Sequence, residues 1–361
     1  MLNKELEVTL NKAADAQLKT KPEQNKLGFG VHFTDHMFVM HWNREQGWHN
    51  AEICPYRNFS LDPAAMVFHY GQEIFEGLKA YKGKENQILL FRPQDNLERM
   101  NQSAVRMCMP RLPVEGVLKA MKALVYLDRS WVPDNEGATL YIRPTMIATE
   151  PALGLRPSAE YIFFIIMSPV GAYYAEGFNP VRIYVEDKYV RAVPGGVGEA
   201  KTGGNYAASV KALTEAQQKG YTQVLWLDAV ERKYIEEVGT SNIFIVINDE
   251  IITPPLKGTI LPGITRDSVL QLARDLGYKT AERPITMEEI VQAQEKGELK
   301  EIFSTGTAAV ISPIGELLYK DKEIQINKGK AGELSTLFFN ELQALQRGER
   351  EDNHNWSVRV G

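Results

Sequence analysis

The chain has 361 residues, 44% hydrophobic and 24% charged, with a formal net charge of −5; it is long for one core, so two domains are expected, and the charge offers no positive field for nucleic acid or anionic lipid. Two cysteines, Cys54 and Cys108, make neither a disulfide framework nor a zinc or iron–sulfur spacing. The polar amino terminus lacks a signal-peptide core and the longest apolar run, Ile162 to Met167, is too short to span a bilayer, so a cytoplasmic protein without a membrane partner is expected.

In chain order, apolar runs at Ile74 to Tyr81 and Ile88 to Phe91 flank the turn-rich Lys82 to Asn86 and predict a hairpin, after which Pro93 opens a helix through Met107. A second helix is predicted over Val114 to Leu127, then strands near Thr139 to Ala148 and Tyr161 to Met167. The Gly- and Pro-rich stretch Ser168 to Pro180 marks a boundary, giving domains over 1–170 and 181–361 with a loop over 171–180. Beyond it, strands are expected at Val181 to Val185, Thr222 to Leu227 and Ile243 to Ile247. Helices are expected at Tyr206 to Lys219, Thr265 to Leu276, Met287 to Gln294 and Ala331 to Leu345, with a polar loop before a short terminal strand.

Gly195 to Thr202 looks like a phosphate-cradling P-loop, and Val224 to Asp228 like the apolar strand ending in an acid that accompanies it, which makes a nucleotide hydrolase the rival function. Two details oppose it. Ala200 stands where a glycine precedes the lysine, and Gly203-Gly204 follow where the helix should propagate. His32, His36 and His41 have a metal-like spacing but lie in strand-like surroundings with no further ligand pattern, so no metal is expected.

Lys201, with glycines on both sides, suits an imine-forming lysine, which must be neutral part of the time and closely approached. Glu237 stands just before an apolar strand, where a buried carboxylate needs a cationic partner: either a protonated pyridine nitrogen or an ordinary salt bridge to Lys or Arg. Leu261-Pro262-Gly263-Ile264-Thr265 enters a helix whose first amides and dipole suit a phosphate, and the small-residue turn Ser304 to Ala309 can donate further amides to an anion.

With these pieces in order the sequence resembles the class IV aminotransferases. Glu237, Asn242, Ile243, Phe244, Ile251, Thr253, Leu261, Gly263, Ile264 and Arg266 match that family's long signature in type and spacing. Phe75-Glu76-Gly77-Leu78-Lys79-Ala80-Tyr81, Phe91-Arg92-Pro93, Tyr141-Ile142-Arg143-Pro144 and Lys201-Thr202-Gly203-Gly204-Asn205-Tyr206 extend the resemblance to the larger branched-chain aminotransferases over nearly the whole chain. It implies an α/β (α+β), two-domain fold type IV enzyme, with a smaller amino-terminal α/β domain and a larger pseudo-barrel domain that binds pyridoxal 5'-phosphate. It also implies a homodimer with active sites shared across the interface, acting on small amino acids and 2-oxo acids.

By the same resemblance Lys201 would carry the cofactor as a Schiff base and move the substrate proton, Glu237 would keep the pyridine nitrogen protonated, and Tyr206 would meet the phenolic oxygen. Arg99, the amides of Ile264 and Thr265, and Thr307 would hold the phosphate, while the Thr307 and Ala308 amides would receive the substrate carboxylate. Phe29, Tyr70, Phe75, Tyr141, Leu153, Leu155, Tyr173 and Thr240 match the side-chain pocket, Tyr70, Leu153 and Leu155 coming from the partner subunit. Arg143 matches the residue that meets the distal carboxylate of glutamate. The Cys-x-x-Cys redox pair of some animal members is replaced by Ala309 and Ser312. Other class IV enzymes, such as a D-amino acid aminotransferase or an aminodeoxychorismate lyase, remain the alternative.

Overall fold

The computed structural model describes residues 6–135, 137–171 and 178–361. Its elements run β1 (Thr9–Leu10), β2 (His36–Asn43), β3 (Gly47–Pro55), α1 (Met66–Tyr70), β4 (Glu73–Phe75), β5 (Leu78–Lys82), β6 (Ile88–Phe91), α2 (Pro93–Arg106), α3 (Val114–Leu127), β7 (Thr139–Ala148), β8 (Glu160–Val170) and β9 (Val181–Glu186). They continue α4 (Gly203–Gln218), β10 (Gln223–Leu227), β11 (Ile235–Val238), β12 (Ser241–Ile247), β13 (Glu250–Thr253), α5 (Ile264–Asp275), β14 (Lys279–Glu282), α6 (Met287–Glu295), β15 (Leu299–Gly306), β16 (Val310–Tyr319), β17 (Lys322–Gln325), α7 (Glu333–Gln346) and β18 (Ser357–Val360).

By packing, the chain divides into one unit of Met1–Tyr173, Ala200–Gly203 and Ala344–Gly361 and a second of Tyr174–Glu199 and Gly204–Gln343. The first holds a sheet in the order β1-β3-β2-β8-β7-β5-β6-β18, with β4 paired to β7. Its mostly antiparallel strands bury Phe38, Met40, Leu90, Leu140, Ile142, Phe163 and Ile165 in one core with α2 and α3. The helices reach it through Leu97, Met100 and Ala104 and through Val117, Met121 and Leu124, spaced to share a helix face. The predicted hairpin is β5–β6, paired Ala80 to Leu90.

The second unit has the sheet order β11-β10-β9-β16-β15-β12, and the additional pairing of β11 with β12 closes these strands into a ring, the barrel-like part of the fold. β9 alternates buried Val181, Ile183 and Val185 with outward Arg182 and Tyr184, and the buried set joins Leu225, Ile243, Ile245, Ile302 and Leu317 in the core. Among the described residues no helix is long and apolar enough to cross a membrane.

One expectation changes and one is extended. α4 begins at Gly203 rather than Tyr206, because the Gly203 N–H is taken by the Glu73 carboxylate, so the glycine pair does not delay the helix. Glu237 precedes the apolar strand β12 as expected, but it stands in a further short strand, β11, that was not predicted, opposite Asn242 of β12. Residues 172–177 of the expected loop, Tyr173 included, lie outside the described residues.

Candidate active site

In the first unit Lys201 is pinned by its backbone. Its N–H donates to Ser103 Oγ on α2 at 2.9 Å, its carbonyl accepts from Phe75 N–H at 3.0 Å, and the Thr202 hydroxyl donates to the Glu73 carbonyl at 2.7 Å. The side chain rises over the Phe75 ring, with Nζ 5.1 Å from its centroid. Arg99, on the buried face of α2, gives Nε and Nη2 to the two oxygens of Glu76, each at 2.8 Å, and Asn96 adds a third bond to that carboxylate. The Nε–Nη2 edge of Arg99 is therefore committed to Glu76, and a phosphate must be met by its other edge.

The same unit contains a cavity of about 170 Å³ lined by Phe29, Gly30, Phe33, Tyr141, Arg143 and Ile166. Phe29 meets Tyr141 edge to face at 5.2 Å, and Arg143 lies over the Phe75 and Tyr141 rings with Nη2 3.1 Å from the Tyr141 hydroxyl. Tyr141 and Arg143, two apart on β7, share a face as a strand requires. A Cβ at residue 77 would stand 2.0 Å from the Tyr141 hydroxyl, so that phenol keeps its place only because Gly77 has no side chain. Tyr70, Leu153 and Leu155 are 37%, 66% and 81% exposed on the single chain, and the Tyr70 hydroxyl donates to the Leu153 carbonyl.

In the second unit Glu237 is buried, with Arg191 Nε 2.6 Å from Oε2 and Asn242 Nδ2 donating to Oε1 at 3.1 Å. Arg191, Tyr206, Glu237, Gly239, Thr240 and Leu261 line one narrow cleft. Gly239 sits at φ +56° in the two-residue turn between β11 and β12, where a Cβ would collide with Gln223 at 2.4 Å. Asn242 Nδ2 also donates to the Leu261 carbonyl at 3.0 Å, tying the acid to the turn that opens α5. That helix is capped by Gly263, which brings no side-chain oxygen to its first amides. Thr307, Ala308 and Ala309 form the turn between β15 and β16, closed by Val310 at φ +64°, a strained setting for a β-branched residue.

The rival P-loop reading fails on geometry. Asp228 spends its carboxylate on the N–H groups of Val230, Glu231, Lys233 and Tyr234; burial alone would raise its pKa, yet these four bonds hold it below the usual carboxylate range. The glycine loop turns the Gly198 carbonyl to Arg191, 3.1 Å away, which suits a cation rather than a phosphate. His36 is structural: Nε2 accepts from Ala13 N–H, so Nδ1 donates to Asp128 at 2.6 Å. Among the described residues no group of three or more His, Cys, Asp or Glu could hold a metal ion.

Residues 73–317 match the family described as amino-transferase class IV. The chain is 53% identical over 342 residues to the branched-chain-amino-acid aminotransferase 2 of Bacillus subtilis (strain 168), covering 95% of this chain and 94% of that relative. The chain is a class IV aminotransferase. Its fold is similar to a crystal structure of the Escherichia coli branched-chain amino acid aminotransferase, with TM-score 0.77, 27% identity, and coverage of 91% of this chain and 99% of the other. It is also similar to the T.th. branched-chain amino acid aminotransferase with pyridoxamine 5'-phosphate, with TM-score 0.74, 28% identity and coverage of 89% and 98%.

The donors present in this class IV aminotransferase fit pyridoxal phosphate. A buried carboxylate and a phenol line the second unit's cleft, and the Gly263 cradle would be filled by a Cβ, which would stand 1.8 Å from Asn242 Oδ1. Gly263→Ala should therefore rotate Asn242 away from Glu237 and Leu261, destabilise the fold by about 1–3 kcal/mol and weaken cofactor retention. Thermal denaturation and cofactor titration measure both, and wild-type values in each would show that the cradle tolerates a methyl group. Sequence reasoning passed over Arg191, Glu76 and Glu73, because a lone charged residue carries no signal until its partner is known.

Proposed function

We propose that the chain transaminates branched-chain L-amino acids (leucine, isoleucine and valine) against 2-oxoglutarate with pyridoxal 5'-phosphate, giving branched-chain 2-oxo acids and glutamate. The observation that carries this reading is the first unit's cavity, walled by Phe29, Phe33, Tyr141, Ile166 and Met167 with Arg143 and Ser168 as its polar members. A branched side chain packs against these apolar and aromatic walls, whereas a glutamate carboxylate needs a cation, which Arg143 offers.

Bound pyridoxal phosphate supplies the electron sink that acidifies the substrate Cα–H. Lys201 Nζ would take that proton from Cα as base and hold it for return as acid. Glu237, paired with Arg191 and oriented by Asn242, would hold the proton on the pyridine nitrogen, and the Tyr206 phenol would meet the phenolic oxygen. By the family resemblance, Arg99, the amides of Ile264 and Thr265, and Thr307 would hold the phosphate, and the Thr307 and Ala308 amides would receive the substrate carboxylate. By the same resemblance, Phe29, Phe75 and Tyr141 would wall the substrate side-chain pocket, and Tyr70, Leu153 and Leu155 of a second copy would complete it in a homodimer. The exposure of those three side chains on one protomer supports that assembly.

Incubation with leucine and 2-oxoglutarate should yield glutamate and the branched 2-oxo acid, and turnover confined to D-amino acids would favour the other class IV reading. Arg143→Ala should lower catalytic efficiency for glutamate by roughly 1.5–3 kcal/mol, the worth of a hydrogen bond to a charged group, while leucine is affected much less. Half-reactions followed separately by cofactor absorbance test it, and equal losses for the two substrates would remove Arg143 from that role.

A further inference from the structure

Arg191 is fixed at several points within the second unit. Nε lies 2.6 Å from Glu237 Oε2, and Nη2 donates to the carbonyls of Gly198 at 3.1 Å and Thr259 at 2.5 Å. The Thr259 hydroxyl in turn donates to Oε1 of Glu236 at 2.5 Å. Glu236 precedes Glu237 on β11, so its side chain leaves the strand on the opposite face and reaches the same arginine by way of Thr259. It is 7% exposed, and its Oε2 is buried with no hydrogen-bond partner among the described residues. Two buried carboxyls thus stand around one guanidinium, and only Glu237 touches it.

We propose that Glu236 is a positioning residue held as a neutral acid, which leaves the charge of Arg191 undivided for Glu237 and so keeps Glu237 ionised toward the cofactor. The role toward the cofactor rests on the aminotransferase reading; the neutral state of Glu236 does not. A second buried anion at this arginine would compete with Glu237 for its charge, and an ionised Glu236 would leave Oε2 charged without a partner. The charged groups acting on it are few. Burial is the largest influence and raises its pKa, the Thr259 hydroxyl and Arg191 pull it down, and Asp228 raises it, with a net upward shift. Glu237 lies on the other face of the strand.

A carboxyl with a raised folded-state pKa adds stability that is fully present below its unfolded value, 4.5, and is lost as pH rises through the folded value. Thermal denaturation of cofactor-free wild type and Glu236→Gln from pH 4.5 to 9 reads this directly. The Tm of wild type relative to the glutamine variant should fall by about 2 °C or more across that range. In the pyridoxal-phosphate-loaded proteins, the pH midpoint of the visible cofactor band should differ between the two by roughly half a unit. Thr259→Val, which removes a bond that lowers the Glu236 pKa, should displace the wild-type inflection upward and serves should the glutamine variant misfold. Parallel Tm curves together with an unmoved inflection in Thr259→Val would overturn the proposal. Failure to bind pyridoxal phosphate would count against the function alone, because the cofactor-free measurement still reports on Glu236.

Discussion

Lys201→Ala is expected to lose transamination by at least about 10⁴-fold while the protein stays folded. The lysine supplies the one movable proton carrier assigned to the reaction, and a methyl group replaces neither its nucleophile nor its base. The fold should survive because the structural work at this position is done by the backbone: the N–H to Ser103, the carbonyl to Phe75 N–H, and the neighbouring Thr202 hydroxyl to the Glu73 carbonyl. Borohydride treatment of wild type with pyridoxal phosphate, followed by peptide mass mapping, should place the reduced adduct on Lys201 and leave the variant unlabelled. Activity within about tenfold of wild type, or label on another lysine, would remove Lys201 from the role.

Glu76→Ala should cost about 3–5 kcal/mol of stability. Glu76 is fully buried, takes both hydrogen bonds of the Nε–Nη2 edge of Arg99 and one from Asn96, and deleting it strands a guanidinium that is itself only 6% exposed. Burial alone would raise the Glu76 pKa, but Arg99, nearby Lys201 and the Asn96 bond together hold it below the ordinary value of 4.5. The sign of the linkage follows. This stability is present above pH 4.5 and is lost as pH falls through the lower folded value, so wild type should carry an acid limb that the variant lacks. Urea denaturation at several pH values measures both. Equal stability of variant and wild type at pH 7 would mean that Arg99 finds another anion; a stable variant that retains pyridoxal phosphate poorly would instead assign Glu76 to aiming Arg99 at the phosphate.

Much of the secondary structure was legible in the chain because periodicity and punctuation agreed locally. Val114 to Leu127 and Thr139 to Ala148 coincide with α3 and β7, and Pro93 opens α2 as its fixed φ and missing N–H favour. β2 was legible only as strand-like surroundings around His36 and His41, and β3 not at all, since Gly47-Trp48-His49 mixes polar and aromatic residues without clean alternation; their place is set by cross-strand partners such as Trp42 against Trp48. The start of α4 was misplaced for a related reason: two glycines lower intrinsic helix propensity, but a carboxylate more than a hundred residues away in sequence takes the first N–H.

The sequence by itself determined the chemical parts: a glycine-flanked lysine, an acid at the start of a long signature, a Pro-Gly helix entry and a small-residue turn. These depend on residue type and short spacing, which a linear chain displays. The tertiary structure alone decided the pairings. It set Glu76 against Arg99 and Arg191 against Glu237, routed Glu236 to the same arginine through Thr259, and buried Lys79 so that desolvation, with Arg347 nearby, brings its ammonium down to about 7. Charge, burial and pKa are properties of a neighbourhood, and in this chain those neighbourhoods are assembled from strands and loops tens to hundreds of residues apart.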